Sequence, residues 1–169
     1  MTVDSFKFLP RIIGKFYQMT EREPILPIPW TPLERPIQES TFGLVTSAGI
    51  YQLDVDQPFN LVRERIEPTW GDPSYRAIPA GIRQDQVGVS HLHVRADDIL
   101  KDVNILFPVD RFQELVDEGT IGGLAECGYS FMGYQGFPPN TALWEEVYAP
   151  QLAESFHEQG VNCVLLTPT

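Results

Sequence analysis

Hydrophobic positions recur along this chain at two spacings. Phe6, Leu9, Ile12, Ile13, Phe16 and Tyr17 fall at helical intervals and predict an amphipathic helix over residues 5–18, capped by Asp4 or Ser5. Prolines at 24, 27, 29, 32 and 36 then exclude both helix and central strand, which predicts an extended arm that Trp30 would anchor. TFGLVTS at 41–47 predicts the first strand, with Ala48 and Gly49 marking a tight turn at its carboxyl end. Residues 59–69 hold no clear period, and WGDPSYRAIP at 70–79, rich in turn formers, reads as a loop. VGVSHLHV at 87–94 predicts a second strand. Asp97 and Asp98 open a short helical turn, and an apolar run at 103–107 leads through Pro108 into a helix whose buried stripe is Val109, Phe112, Leu115 and Val116, ending at Gly119. IGGLA at 121–125 predicts a small strand, and GYSFMGYQGFPPN at 128–140 reads as a Gly and aromatic loop too apolar to be merely solvated. Thr141 can cap a helix in which Leu143, Val147, Leu152 and Phe156 share a face, with Pro150 forcing a kink or break and Gly160 ending it.

That helix feeds VNCVLLTPT at 161–169, a continuous apolar run with the pattern of a strand buried on both faces of a parallel sheet. The expected fold is α/β: one domain over 41–169 with a mostly parallel open sheet and helices on both faces, flavodoxin-like or related, preceded over 1–40 by the N-terminal helix and proline-rich arm. In such sheets the ligand crevice lies beyond the carboxyl ends of the strands, so Thr46, Ser47, Thr167, Pro168 and Thr169 stand where reactive or binding groups usually stand. A strand is normally followed by a helix that covers the sheet. The reading therefore expects a C-terminal helix beyond residue 169 and an exposed apolar sheet face without it.

Length suits one domain with a real core, and 43% hydrophobic residues with 21% charged residues is a globular composition. A net charge of −11 argues against nucleic acid or an anionic membrane as partner. Lys7, Pro10 and Arg11 interrupt any signal-peptide core and no run is long enough to span a bilayer, so the expected location is the cytoplasm. Cys127 and Cys163 are too few for a disulfide framework. Walker, GxGxxG, GxSxG and CxxC motifs are absent.

Four groups of residues carry candidate chemistry. Asp72, Ser74, Tyr75 and Arg76 gather in one short stretch, either as a local Asx or Ser turn with Arg76 pairing Asp72 or as part of a binding site. His91 and His93 are two apart, which on a strand puts both imidazoles on one face as an acid–base or ligand-binding pair; two ligands fall short of a zinc site, and no metal is assigned. The strand at 121–125 would deliver Glu126 and Cys127 to the crevice edge, with Cys127 either an inert small hydrophobe or a nucleophile. Cys163, within the last strand, reads as core.

Taken together, IPWTPLERP, FGLVTSAGIY, GDPSYRAIP, VSHLHV, DVNILFPVDRFQELVDEGTIGGLAE, YSFMGY and GVNCVLLTPT resemble, in the same order and almost end to end, the selenoprotein B family of the glycine, sarcosine, betaine and D-proline reductases, especially its shorter members. The resemblance implies reductive cleavage of a carbon–nitrogen bond in a small amino acid or amine, with electrons from thioredoxin or a dithiol, in a homo-oligomer or multi-subunit reductase complex. It also implies a selenocysteine or cysteine just after Thr169, since the family's segment like VLLTPT runs directly into that residue and a further helix; the selenocysteine codon UGA is ordinarily read as a stop. A selenol ionises more readily than a thiol and would carry the redox chemistry, with no other cofactor. By resemblance Ser47, Asp72, Ser74, Tyr75, Arg76, His91 and His93 line the pocket. By residue chemistry Arg76 would hold a substrate carboxylate and a histidine would protonate the departing amine. Two other readings stay open: a non-catalytic small-molecule binding or scaffold protein that keeps the pocket, and an isomerase or lyase of racemase-like type using Cys127 with His91 or His93.

Overall fold

A computed structural model describes residues 31–92 and 94–169, together with 10–12, 15 and 27. The chain divides into two compact units, Met1–Pro32 and Leu33–Thr169. In the first, Arg11, Ile12 and Lys15 are helical; the rest of the helix expected over 5–18, and Trp30 with most of the arm, lie outside the described residues.

The second unit is built around β1 (Thr41–Thr46), whose two edges are both paired. Along one edge runs β7 (Cys163–Thr167), parallel and in unbroken register from Phe42 opposite Cys163 to Thr46 opposite Thr167. The other edge is shared: β5 (Gly123–Leu124) pairs Thr41 and Phe42, and β6 (Cys127–Phe131) pairs Val45 and Thr46, both parallel. Outside β6 lies β3 (Tyr75–Pro79), antiparallel. A separate antiparallel pair joins β2 (Ile50–Gln52) to β4 (Val87–Val89).

Period-two alternation sends β1 side chains to two cores. Leu44 faces one, with Ile78, Phe107 and Val109 and, packed against them, Phe112 of α3 (Val109–Asp117) and Leu165. Val45 faces the other, where Tyr129 of β6 meets Leu152 and Phe156 of α4 (Ala149–Glu158). The mostly parallel sheet with helices on both faces is as the pattern predicts. Two shorter helices, α1 (Leu61–Ile66) and α2 (Ala96–Ile99), fill connections.

Several local expectations are corrected. The turn-rich 70–79 contains β3, because antiparallel pairing with β6 supplies the backbone partners that its own residues do not advertise. The supposed loop at 128–140 begins with most of β6, next to the centre of the sheet. The strand expected over 87–94 ends at Val89, where its partner β2 begins at Ile50, so the period-two argument does not reach His91. Val103–Ile105 forms a 3-10 turn. Around Pro150 the helix does not break: Trp144–Tyr148 widens into a π-helical turn that runs directly into α4, with Pro150 in the first α-helical turn after it. Thr141 stands at the start of this helix, its carbonyl accepting the Glu145 N–H and its hydroxyl donating to the Glu145 carboxylate, while the Asn140 side chain accepts from the Ala142 N–H. Finally, β7 is not buried on both faces: Val164 is 47% exposed and Leu166 67%. Among the described residues no helix is long and apolar enough to cross a membrane.

Candidate functional site

Because β1, β6 and β7 run parallel, their carboxyl ends share one rim, and residues 46–47, 131–133 and 167–169 meet there. Hydrogen bonds fasten the last of these to the first. Thr46 Oγ1 and the Ser47 N–H both donate to the Thr167 carbonyl, each at 3.2 Å. Thr167 Oγ1 donates its one proton toward the Leu106 carbonyl at 2.6 Å, with the Val45 carbonyl 3.2 Å away as the alternative acceptor. Beyond Pro168, the Thr169 N–H donates to Ser47 Oγ at 2.8 Å, and the Ser47 and Thr169 hydroxyls are 2.9 Å apart. The result is a clip that holds the Thr-Pro-Thr backbone against the end of β1.

Gly49 brings a second element to the rim. Its N–H donates to the Phe131 carbonyl and its carbonyl accepts from the Ser90 N–H, both at 2.8 Å. With φ at 65° and a Cβ site only 2.1 Å from the Ser90 carbonyl oxygen, no other residue fits there. The docked segment carries His91 to Gly133. A Cβ on Gly133 would stand 3.1 Å from the Ser47 carbonyl oxygen, 3.3 Å from Ser47 Oγ and 3.2 Å from His91 Nε2. The serine hydroxyl and the imidazole therefore border one small space that a glycine keeps open.

From this polar end a groove of about 640 Å³ runs between the sheet and α4, walled by Phe131, Trp144, Leu152, Phe156, Val164 and Leu166. Ser47, Thr167 and Thr169 lie at its mouth, and none of its lining side chains is charged. Its volume falls within the range of small-molecule sites, which combine apolar walls with a few convergent polar groups. Chemically, the mouth offers hydroxyls that donate or accept, while the His91 imidazole stands behind Gly133 with its Nε2 enclosed.

The remaining candidate residues lie outside the groove lining. Asp72 Oδ1 accepts from the Ser74 N–H and hydroxyl, and Oδ2 accepts from the Asn60 N–H. Arg76 reaches Ser74 Oγ at 2.9 Å, not Asp72, and also donates to the Tyr75 and Gln57 carbonyls while stacking 4.2 Å over Phe59. This knot stands beside the rim, since Arg76 is the register partner of Ser130. Tyr75 faces the other way, into rings of Tyr129, Phe131 and Tyr148 with centroids 5.4–5.8 Å away.

Cys127 opens β6 at the amino end of the parallel strands, so it is not at the crevice edge. Six residues, about 20 Å of extended chain, separate it from Gly133 and His91. Around it are the Tyr129 hydroxyl and Gln159 Nε2, each 3.8 Å from its sulfur. Burial raises the pKa of the Tyr129 phenol, against the lowering effect of its 2.6 Å bond to Ser155. Cys163 is half-buried opposite Phe42. His93 lies outside the described residues. Among the described residues no three His, Cys, Asp or Glu side chains group to hold a metal ion.

Over 145 residues the chain is 37% identical to D-proline reductase subunit gamma of Acetoanaerobium sticklandii. The chain is similar to a reductase subunit. The match covers 85% of this chain and 55% of the relative, so the chain spans about half that protein's length. No protein-family model and no solved structure matches it. Sequence reasoning missed Gly133, Phe131 and Trp144 as site residues; the signal for the first two was the apolar and glycine content of 128–140.

Proposed function

We propose that the chain belongs to the proline and glycine reductase family and serves as a subunit of a complex that reductively cleaves a carbon–nitrogen bond in a small amino acid or amine, D-proline first among candidates. The observation that carries this is the 37% identity with the D-proline reductase gamma subunit. The clip of Ser47 to Thr169 beside His91 supports it, because it supplies a rim on which a substrate and a redox group can meet. The redox residue, a selenocysteine or cysteine, is proposed to follow Thr169 in the reading frame and so to start beside Ser47. In the overall reaction a dithiol gives two electrons and becomes a disulfide, the C–N bond breaks, and two protons complete the new C–H and N–H bonds. His91 is assigned the proton for the departing nitrogen. Ser47 and Thr169 are assigned the neutral hydrogen bonds to the substrate, with the Asp72, Ser74 and Arg76 knot as the rigid wall beside them.

The test is the natural gene product, isolated with its complex and given a dithiol and D-proline, glycine, sarcosine or betaine in turn. Appearance of the amine product from one of them, with kcat lowered in His91→Ala, is the expected result. A folded complex that cleaves none of them overturns the reading.

A further inference from the structure

Gln135 is a polar side chain buried to 4% exposure, and its amide is aimed at backbone. Its Nε2 lies 2.9 Å from the Met132 carbonyl oxygen, 3.0 Å from that of Tyr134 and 2.8 Å from that of Asp72. Three acceptors around one atom fix the amide's orientation, because only its donor end can face them. Two of the three flank Gly133, so the side chain folds back and ties its own loop around that glycine. The third belongs to the Asp72 knot, so the same amide fastens the loop to the neighbouring segment.

Other contacts make this a backbone-to-backbone joint. The Phe137 N–H donates to the Pro68 carbonyl at 3.1 Å, and the Tyr134 hydroxyl donates to the same carbonyl. Trp144 Nε1 donates to the Pro73 carbonyl at 3.0 Å, one residue beyond the carbonyl that Gln135 holds. A Cβ on Gly71 would collide with Gln135 Cα and the Tyr134 carbonyl, so only glycine lets the two segments approach this closely. Gly133 is where the joint reaches the rim, since its Cβ site stands 3.1–3.3 Å from Ser47 and from His91 Nε2. A displacement of the loop at 132–135 would press Gly133 onto the imidazole or draw it away.

The geometry points to Gln135 as the positioning residue of the rim, the side chain that holds Gly133 where it sets His91 beside Ser47. It acts through the backbone and touches no reacting group. Burying an amide is costly unless its hydrogen bonds are made, and an apolar side chain would fill the same volume without that demand. What the amide adds is a fixed distance between the Asp72 knot and Gly133. Its consequence for catalysis rests on the reductase reading, whereas its hold on His91 does not.

Gln135→Glu in the natural gene product tests this, with the His91 ring resonances as a readout that needs no substrate, donor or partner. A carboxylate keeps the side chain's shape but faces three carbonyl oxygens with no proton to give, and that repulsion raises its pKa. Near about pH 8 the variant is expected to fold with its His91 resonances, identified by their loss in His91→Ala, moved from the wild-type positions. As pH falls to about 5, protonation restores a donor, and the difference from wild type at each pH is expected to shrink. Gln113→Glu, the same change at an exposed site on α3, is expected to leave His91 unmoved throughout. In the reductase complex, Gln135→Glu is expected to lower kcat by about tenfold to a hundredfold with KM changed less than about threefold. A folded Gln135→Glu whose His91 resonances match wild type at the alkaline end overturns the inference. Resonances that move while kcat holds overturn it too, by making the joint structural only. If Gln135→Glu does not fold, Gln135→Asn, which keeps the amide but is one methylene short of the Asp72 carbonyl, is read in the same way. Failure of both to fold overturns the inference by making Gln135 a residue that the whole fold needs. A wild-type complex that cleaves none of the substrates overturns the reductase reading instead, and the His91 result is unaffected by it.

Discussion

Arg76→Ala should destabilise the fold by about 1–3 kcal/mol, because it removes donors to the Gln57 and Tyr75 carbonyls and to Ser74 as well as the stack on Phe59. Urea unfolding would measure it. Arg76→Lys should recover little, since an ammonium can neither stack flat nor span the same acceptors. An unchanged unfolding midpoint would return Arg76 to the role of a ligand-binding cation. Tyr129 gives a pH test. Burial raises its folded pKa, so the stability tied to its neutral phenol is fully present below the unfolded value near ~10 and is lost as pH rises through the higher folded value. Tyr129→Phe should therefore flatten the alkaline loss of stability, at a cost near neutral pH of about 1 kcal/mol for the lost Ser155 bond. Denaturant midpoints across neutral to alkaline pH would read both effects. At this scale the sequence was informative wherever position along a strand sufficed, as for Ser47, Thr167 and Thr169. It misled for Cys127, whose placement depends on where β6 begins.

At the scale of elements, α4 is held by two side chains. Leu152 and Phe156 are its buried residues, and the Phe156 ring packs edge-on to Tyr129 with centroids 5.0 Å apart. Phe156→Ala should cost about 3–5 kcal/mol, measurable by thermal or urea unfolding, and should enlarge the groove it walls. Helices were legible because their stripes repeat over several turns: Val109 to Val116 and Leu152 with Phe156 needed only the 3.6 period. Strands β3 and β6 were not, for a physical reason. Tyr75–Pro79 and Cys127–Phe131 are mixed in polarity, and what makes them strands is each other and β1, partners far away in sequence. His91 shows the opposite failure, in which an alternating pattern ran on past the point where a pairing partner existed.

For the molecule as a whole, the net charge of −11 is a standing self-repulsion that added salt relieves. The melting temperature should rise by a few degrees between low salt and about 0.3 M sodium chloride; a flat or falling curve would mean that local ion pairs matter more than the global charge. The four described ion pairs all join near neighbours in sequence on exposed side chains, so they offer little to oppose that trend. The layered α/β design followed from the sequence, whereas the order of strands did not, because period and polarity carry no record of which edges meet. That order also bears on how the protein is made. The central strand leaves the ribosome early, yet the bonds that fasten it to β7 join residues 121 and 122 apart. Its core therefore waits, with bare backbone on both sides, until synthesis has passed β6 and then β7. Such long-range closure is slow and leaves sticky edges in the meantime. The crevice is the last part of this unit to come into being, so nascent chains should need protection longest at the strand that later lies deepest in the sheet.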